Sequence, residues 1–381
     1  MPIYKDENKK DNPWYYSFEI KDENGKWKTI RKRGFRTKKD AEKAEISIKD
    51  AMNKGTYVQQ SKLSFSEYLN NWLANRRDIK DKTKVGYKVI IEQHIAPLIG
   101  RIPLSEVNAM TIESFLTKIE EKNFSESYVR NIFKVLNKSL KDAERKQLII
   151  RNPAALVAKP RVSKKEMLCW TPEESKQFLK AIFDHRLRII FVLAIHSGMR
   201  MGEILGLRFC DVDLTNMKIN IRNILNFKNQ LQAGTKTNAG NRSISISDFV
   251  VKQLEIRRQN MLKEKAAAGD DYDDKDFVVS TKYGTPYSKA MCDAVWRRLL
   301  KKSKLKRIRF HDLRHTCASL LLSLEIHPKV VQELLGHSSI QITLDLYSHL
   351  TPNMNKDAAY AMERLLDLDD EDVQTEPESE Y

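Results

Sequence analysis

The sequence predicts a multidomain α+β protein, with a small β-sheet-plus-helix module first, an all-α bundle second and a larger mixed, mainly α domain third. Three observations predict it. Large apolar residues recur two apart near the N-terminus, the period of a half-buried strand, and three or four apart after Ser64, the period of a helix. Polar or basic stretches at residues 55–62 and 159–165 interrupt these patterns and read as linkers. A chain of 381 residues also exceeds one ordinary core. The expected boundaries are 1–60, 61–160 and 165–366, followed by an acidic, disordered tail over 367–381.

Each element has its own signal. Trp14, Tyr16 and Phe18 alternate as a strand, Asp22 to Gly25 supply a turn, Trp27 to Arg33 form a second strand, and Phe35 enters a third. Thr37 with Asp40 caps a helix running to about Met52. In the bundle, Phe65, Leu69, Trp72 and Leu73 share a helix face, and Tyr87, Ile90, Ile91 and Ile95 mark a second helix ending before Pro97. Ile112, Phe115, Leu116 and Ile119 mark a third, and Ser125 opens a fourth that ends near Gln147 before the break at Asn152-Pro153.

The last domain begins with Thr171-Pro172-Glu173-Glu174, an N-cap, a Pro at the first helical position and acids in the first turn. A buried helix through Ile189–Ile195 stops at Gly198, and another opens at Arg200. Val212–Arg222, Ile224–Leu231 and Arg242–Ile246 read as strands, with a Gly-bounded hairpin carrying Lys236 between the last two. Residues 263–275 read as a loose insertion, Phe277–Ser280 as a short strand, and Lys289–Lys302 and Asn355–Leu366 as helices.

Charge limits the partners. The formal charge is +16, yet residues 366–381 hold eight carboxylates and no Lys or Arg, which leaves +24 on residues 1–365. A polyanion, nucleic acid above all, fits that field. Eight cations crowd into residues 26–39 with no acid among them: Lys26, Lys28, Arg31, Lys32, Arg33, Arg36, Lys38 and Lys39. They suit either a solvated edge strand or a basic ribbon laid in a DNA groove. Lys82 and Lys84 on the bundle suit either a solubilising helix face or a DNA contact. The longest apolar run, Ile189–Ile195, is too short to span a bilayer and no signal-peptide pattern is present, so a soluble cytoplasmic chain is expected. Cys169, Cys210, Cys292 and Cys317 are too dispersed for a metal motif and read as reduced thiols.

The chemistry concentrates between His311 and Tyr347. His311-Asp312-Leu313-Arg314 is followed by Leu335-Gly336-His337 and then Tyr347, with Ser197-Gly198-Met199-Arg200-Met201-Gly202-Glu203 upstream. A guanidinium matches phosphate oxygens with a planar fork, an imidazole exchanges protons near neutral pH, and a phenol can become a covalent nucleophile. These four motifs, in this order, resemble the tyrosine recombinase (integrase) family, most sharply over residues 165–360. The spacing from His337 to Tyr347 is similar to that of integrases from phages and conjugative transposons.

That resemblance implies an arm-binding domain, a core-binding domain and a catalytic domain in succession. It implies that Arg200 and Arg314 clamp a phosphate, His337 adds a donor, His311 assists proton movement, Lys236 protonates the leaving 5′ oxygen and Tyr347 attacks. It further implies a 3′-phosphotyrosyl intermediate, double-stranded attachment-site DNA, a homotetramer on DNA, accessory DNA-bending or excision proteins, residence at the nucleoid, and neither cofactor nor metal. Rival readings remain: a zinc site at His311 and His315, Tyr347 as a core aromatic among Ile342, Leu344, Leu346 and Leu350, a type IB topoisomerase-like enzyme, or a non-catalytic DNA-binding regulator. His349 is unassigned.

Overall fold

Alternation at the N-terminus places Tyr16 and Phe18 on one face of a sheet, 2% and 3% exposed, with Ala41 of the following helix fully covered. The computed structural model describes residues 3–7, 9, 11–21, 27–53, 63–163, 167–234, 242–344, 360, 362–363 and 365–366. They divide into two units, Met1–Lys164 and Lys165–Tyr381.

In the first unit, β2 (Trp14–Lys21) lies between β1 (Ile3–Lys5) and β3 (Trp27–Phe35), all antiparallel, with α1 (Lys38–Asn53) packed on the sheet. The third strand is therefore β1, and Phe35 ends β3 instead of entering another strand. The physical reason is local. A register shift at Trp14/Tyr15 sets Trp14 opposite Phe35 and Tyr15 opposite Arg33, and the intervening Gly34 takes φ 100°, the backbone of a bulge. Thr37 Oγ1 accepts the Asp40 N–H at 3.1 Å, as the capping pattern predicts.

The helices α2 (Phe65–Ala74), α3 (Asp81–Ile90), α5 (Ala109–Glu120) and α6 (Glu126–Arg145) share one apolar core. Ser64 and Glu67 form a reciprocal capping box on α2. The expected stop before Pro97 does not occur. Helix α3 widens into a π-helical turn at Ile91–Ile95 and continues as α4 (Ala96–Ile99), where Pro97 sits in a first turn that needs no N–H from it.

In the second unit, α7 (Pro172–Ala181) begins with a Thr171–Glu174 capping box, and α8 (Arg188–Ser197) runs through the core to a left-handed Gly198. Trp170, Phe178, Phe191, Trp296 and Phe310 cluster there with ring centroids 5.1–6.0 Å apart. After α9 (Met201–Gly206) come β4 (Val212–Asp213), β5 (Lys218–Ile221), β6 (Asn223–Leu225), β7 (Leu231–Ala233) and β8 (Arg242–Ser245). Here β8 pairs with β5, while β6 and β7 pair only with each other among the described residues. The strands flanking residues 234–241 thus belong to different sheets.

Helix α10 (Asp248–Ala268) takes up residues 263–268 of the expected insertion, and a 3-10 turn (Gly269–Asp271) follows it. The helix is held by Glu264, which binds Arg186 and Arg257, and Tyr272 beyond it packs on the core. Residues 277–280 form isolated bridges instead of a strand, because Val278 donates to Leu207 and Ser280 pairs with Pro286. Helices α11 (Lys289–Ser303), α12 (Asp312–Ser323) and α13 (Pro328–Leu335) complete the unit. The expected helix over 355–366 and the acidic tail lie largely outside the described residues. No helix among the described residues is long and apolar enough to cross a membrane.

Candidate active site

Two left-handed glycines build the floor of the site. Gly198 ends α8 at φ 59° and Gly336 caps α13 at φ 65°. A Cβ on Gly198 would come within 2.2 Å of the Leu335 side chain, so the ends of α8 and α13 approach closely only because that side chain is missing. Each turn leaves carbonyls unused by its helix. Arg314, on the first turn of α12, donates to Gly198 O at 2.7 Å and to Leu335 O at 2.6 Å. Arg200, the N-cap of α9, donates to Gly336 O at 2.9 Å. Two arginines 114 positions apart in sequence are thereby held by backbone that only glycine turns expose.

Glu203 joins the arrangement from below. It is 5% exposed and accepts Arg200 Nη1 at 2.8 Å, Arg200 N at 2.9 Å, and both terminal nitrogens of Arg242 at 3.1 and 2.9 Å. Arg242 Nε donates to Leu334 O. Burial pushes the Glu203 carboxyl up, but the bonds and charges of Arg242 and Arg200 outweigh it and hold the group below its ordinary value. The sequence places Arg242 at the head of the strand that follows the Lys236 hairpin, as part of that pattern, and gives it no role of its own in the site; that role follows from its bonds to Glu203 of α9 and Leu334 of α13, which no residue spacing encodes.

Two guanidiniums therefore share one carboxylate, and a third, Arg314, lies within its field. Burial, then the Arg200 charge, push Arg314 down to about 9, so it remains cationic at neutral pH and in want of an anion. His337 is 8% exposed, and burial followed by Arg314 and Arg200 push it down to about 4, which makes it a neutral imidazole. Its Nδ1 lies 3.0 Å from Thr343 Oγ1. His311, at the start of α12, is also held below its ordinary value by loss of hydration and by Arg314. Asp312 is held low by Arg309 against the cost of its burial.

Of the six expected site residues, Arg200, His311, Arg314 and His337 lie in one electrostatic neighbourhood. Lys236 and Tyr347, like His349, lie outside the described residues. His311 and His315 meet edge to face at 5.2 Å, and among the described residues no third His, Cys, Asp or Glu joins them as a metal site would need. All four cysteines are free, and burial pushes Cys292 and Cys317 up to about 12, the behaviour of inert thiols.

Residues 169–354 match the phage integrase family model, residues 2–52 an arm DNA-binding domain, and residues 64–119 a phage integrase N-terminal SAM-like domain. The chain belongs to the phage integrase family of tyrosine recombinases. A tyrosine recombinase XerC-like protein of Caldanaerobacter subterraneus subsp. tengcongensis is 27% identical to it over 373 residues, 91% of this chain and 94% of that protein. Among solved structures, the Tn1549 transposon integrase in complex with a circular intermediate DNA is similar, with a TM-score of 0.69 at 21% identity over 80% of this chain and 99% of that one. So is the lambda integrase tetramer bound to a Holliday junction, with a TM-score of 0.59 at 18% identity over 90% and 94%.

The expected DNA contacts of this tyrosine recombinase divide by face. In β3, Arg31 and Arg33 are exposed opposite Ser17 and Tyr15, on the side of the sheet away from α1, with the Arg33 guanidinium 5.4 Å from the Tyr15 ring centre. Tyr4 stacks on Tyr15 at 5.3 Å, so two phenols and two guanidiniums share that face. Arg36, Lys38 and Lys39 are exposed, and Lys32 is half-buried. Lys26 and the Lys28 side chain lie outside the described residues. On the bundle, Lys82 is exposed whereas Lys84 donates to Ala74 O at 3.2 Å, closing the end of α2.

Proposed function

We propose that this chain is a site-specific DNA recombinase, an integrase that cuts and rejoins DNA to integrate and excise a mobile element. The observation that carries the reading is the Arg200–Arg314–Arg242 cluster, balanced among the described residues by Glu203, beside a neutral His337. An excess of positive charge around the buried Arg314 is unfavourable until an anion enters it. A phosphodiester has the right charge, and its non-bridging oxygens match two guanidinium forks.

The chemistry needs two further groups, which the motif order assigns to Tyr347 and Lys236. Tyr347 Oη attacks phosphorus and loses its proton, with His311 assisting that transfer. The bond to the 5′ oxygen breaks, and Lys236 supplies the proton that oxygen takes. The products are a 3′-phosphotyrosyl ester and a free 5′ hydroxyl. Arg200, Arg314 and His337 stabilise the charge that grows on the non-bridging oxygens. Because the ester keeps the energy of the broken bond, a second 5′ hydroxyl reverses the steps and seals a new strand.

The same reading assigns residues 1–60 to arm-site DNA, 61–160 to the core site and 165–366 to catalysis, with work on chromosomal DNA in the cytoplasm. Exchange between two duplexes needs four strand breaks, which supports a homotetramer on DNA, as the lambda integrase structure with a Holliday junction illustrates for that protein. Accessory DNA-bending or excision proteins would set direction. The test is incubation with duplex DNA carrying a nick beside the cut site. Wild type accumulates a covalent complex stable in denaturant, whereas Tyr347→Phe gives none and retains DNA affinity. Relaxation of plasmids lacking any attachment site, with no recombinant product, would favour a topoisomerase.

A further inference from the structure

The geometry points to Thr343 as a positioning residue that fixes the His337 tautomer, so that Nε2 carries the proton and faces the phosphate as a donor. This rests on the proposed strand-transfer reading. Thr343 is fully buried and His337 nearly so, and their one shared hydrogen bond, between Oγ1 and Nδ1, spans 3.0 Å. Either atom could carry the proton, and the number of available partners decides between them.

If Nδ1 carried the proton, Thr343 Oγ1 would accept it and the hydroxyl's own hydrogen would need another acceptor. Among the described residues Oγ1 makes no second hydrogen bond, and a buried hydroxyl left unpaired is destabilising. If instead the hydroxyl donates to a bare Nδ1, its hydrogen is satisfied and the imidazole proton sits on Nε2. Nε2 has no partner among the described residues, and the ring lies in the field of Arg314 and Arg200. A neutral imidazole with its proton on Nε2 donates to an incoming phosphate oxygen. The opposite tautomer would present a lone pair to it and repel it.

Thr343 also packs where this matters. Its backbone N–H bonds Ile340 O, so the short turn after His337 delivers the hydroxyl to the ring's far side. The imidazole is thus gripped from behind by an uncharged donor, which sets the tautomer without raising the imidazole's basicity as a carboxylate would. The residue type is therefore part of the proposal: serine preserves the function, valine does not.

The test pairs a spectrum with a rate. In protein labelled with 15N-histidine, multiple-bond 1H–15N correlations of His337 should report the proton on Nε2 in wild type and in Thr343→Ser, and a mixture of tautomers in Thr343→Val. Single-turnover cleavage of nicked duplex should fall about tenfold or more in Thr343→Val, stay within about twofold of wild type in Thr343→Ser, and leave DNA affinity unchanged. In a His337→Ala background, Thr343→Val should add nothing. A proton found on Nδ1 in wild type, or a Ser variant as slow as the Val variant, would overturn the assignment. The spectrum reads the tautomer whether or not the protein cleaves DNA, so failure of the strand-transfer reading remains distinguishable from failure of this one.

Discussion

Replacing Glu203 by Gln removes one charge at nearly constant shape, and the consequences can be worked from its hydrogen bonds. The carboxylate accepts four, from Arg242 twice and Arg200 twice, while only 5% exposed. Arg242 is itself 9% exposed on its side chain, so the variant leaves a buried guanidinium without its counter-charge. Breaking a buried pair from one side costs about 3–5 kcal/mol. Gln also turns an amide N–H towards a donor, which adds to the loss. In urea unfolding of the full chain, the transition of the unit holding Glu203 should lose about 3–5 kcal/mol at pH 7.

The pH dependence of that loss has a defined sign. Glu203 is held below its ordinary value of 4.5, so its contribution is present above about pH 4.5 and disappears as pH falls through the lowered folded value. The gap between wild type and Glu203→Gln should therefore close in acid. A second variant separates stability from positioning. Glu203→Leu with Arg242→Met should recover much of the stability by replacing the pair with packed apolar groups, yet cleave slowly because Arg200 has lost its anchor. A Glu203→Gln protein within about 1 kcal/mol of wild type at pH 7 would refute the view that this carboxylate balances the arginines.

Three further outcomes are expected. His337 sits at about 4 against an ordinary 6.5, so its neutral form is favoured by folding, and stability should decline as pH falls from 6.5 to 4, by about 3 kcal/mol in total; His337→Asn should flatten that part of the urea-midpoint profile. Arg31→Ala with Arg33→Ala should weaken binding of DNA distant from the cut and reduce the salt slope of that binding by about 0.9 for each phosphate no longer neutralised, with cleavage of a short core duplex unchanged. Lys236→Ala should slow cleavage by about a hundredfold or more, and a 5′-thio leaving group, which needs no proton, should restore the rate in single-turnover assays.

Legibility in the sequence followed how local each signal is. Thr171–Glu174, Ser64 and Gly198 act within one helical turn, and the helices begin and end where those residues stand. Pro97 misled because a π-turn, a tertiary accommodation, absorbed its missing N–H. Residues 263–268 misled because an Ala-rich, charged stretch reads as loose until Glu264 is seen bridging Arg257 of its own helix and Arg186 from elsewhere in the fold. In the candidate site, the motifs carrying Arg200, His311, Arg314 and His337 stood out because they combine polar residue types with glycine turns, and the fold brings those four residues into one neighbourhood. Arg242 and Thr343 were not, since each acts through a neighbour that only folding supplies. Lys236 and Tyr347 rest on motif order.

The central claim is that one phenol oxygen of this chain becomes esterified to a DNA strand in a pocket of excess positive charge. Mass spectrometry of the covalent complex trapped on nicked duplex, after digestion of protein and DNA, tests it most directly. The account predicts a single modified peptide with a nucleotide 3′-phosphate on Tyr347. A modified residue other than Tyr347, a 5′-phosphate linkage, or cleaved DNA with no attached peptide would contradict it.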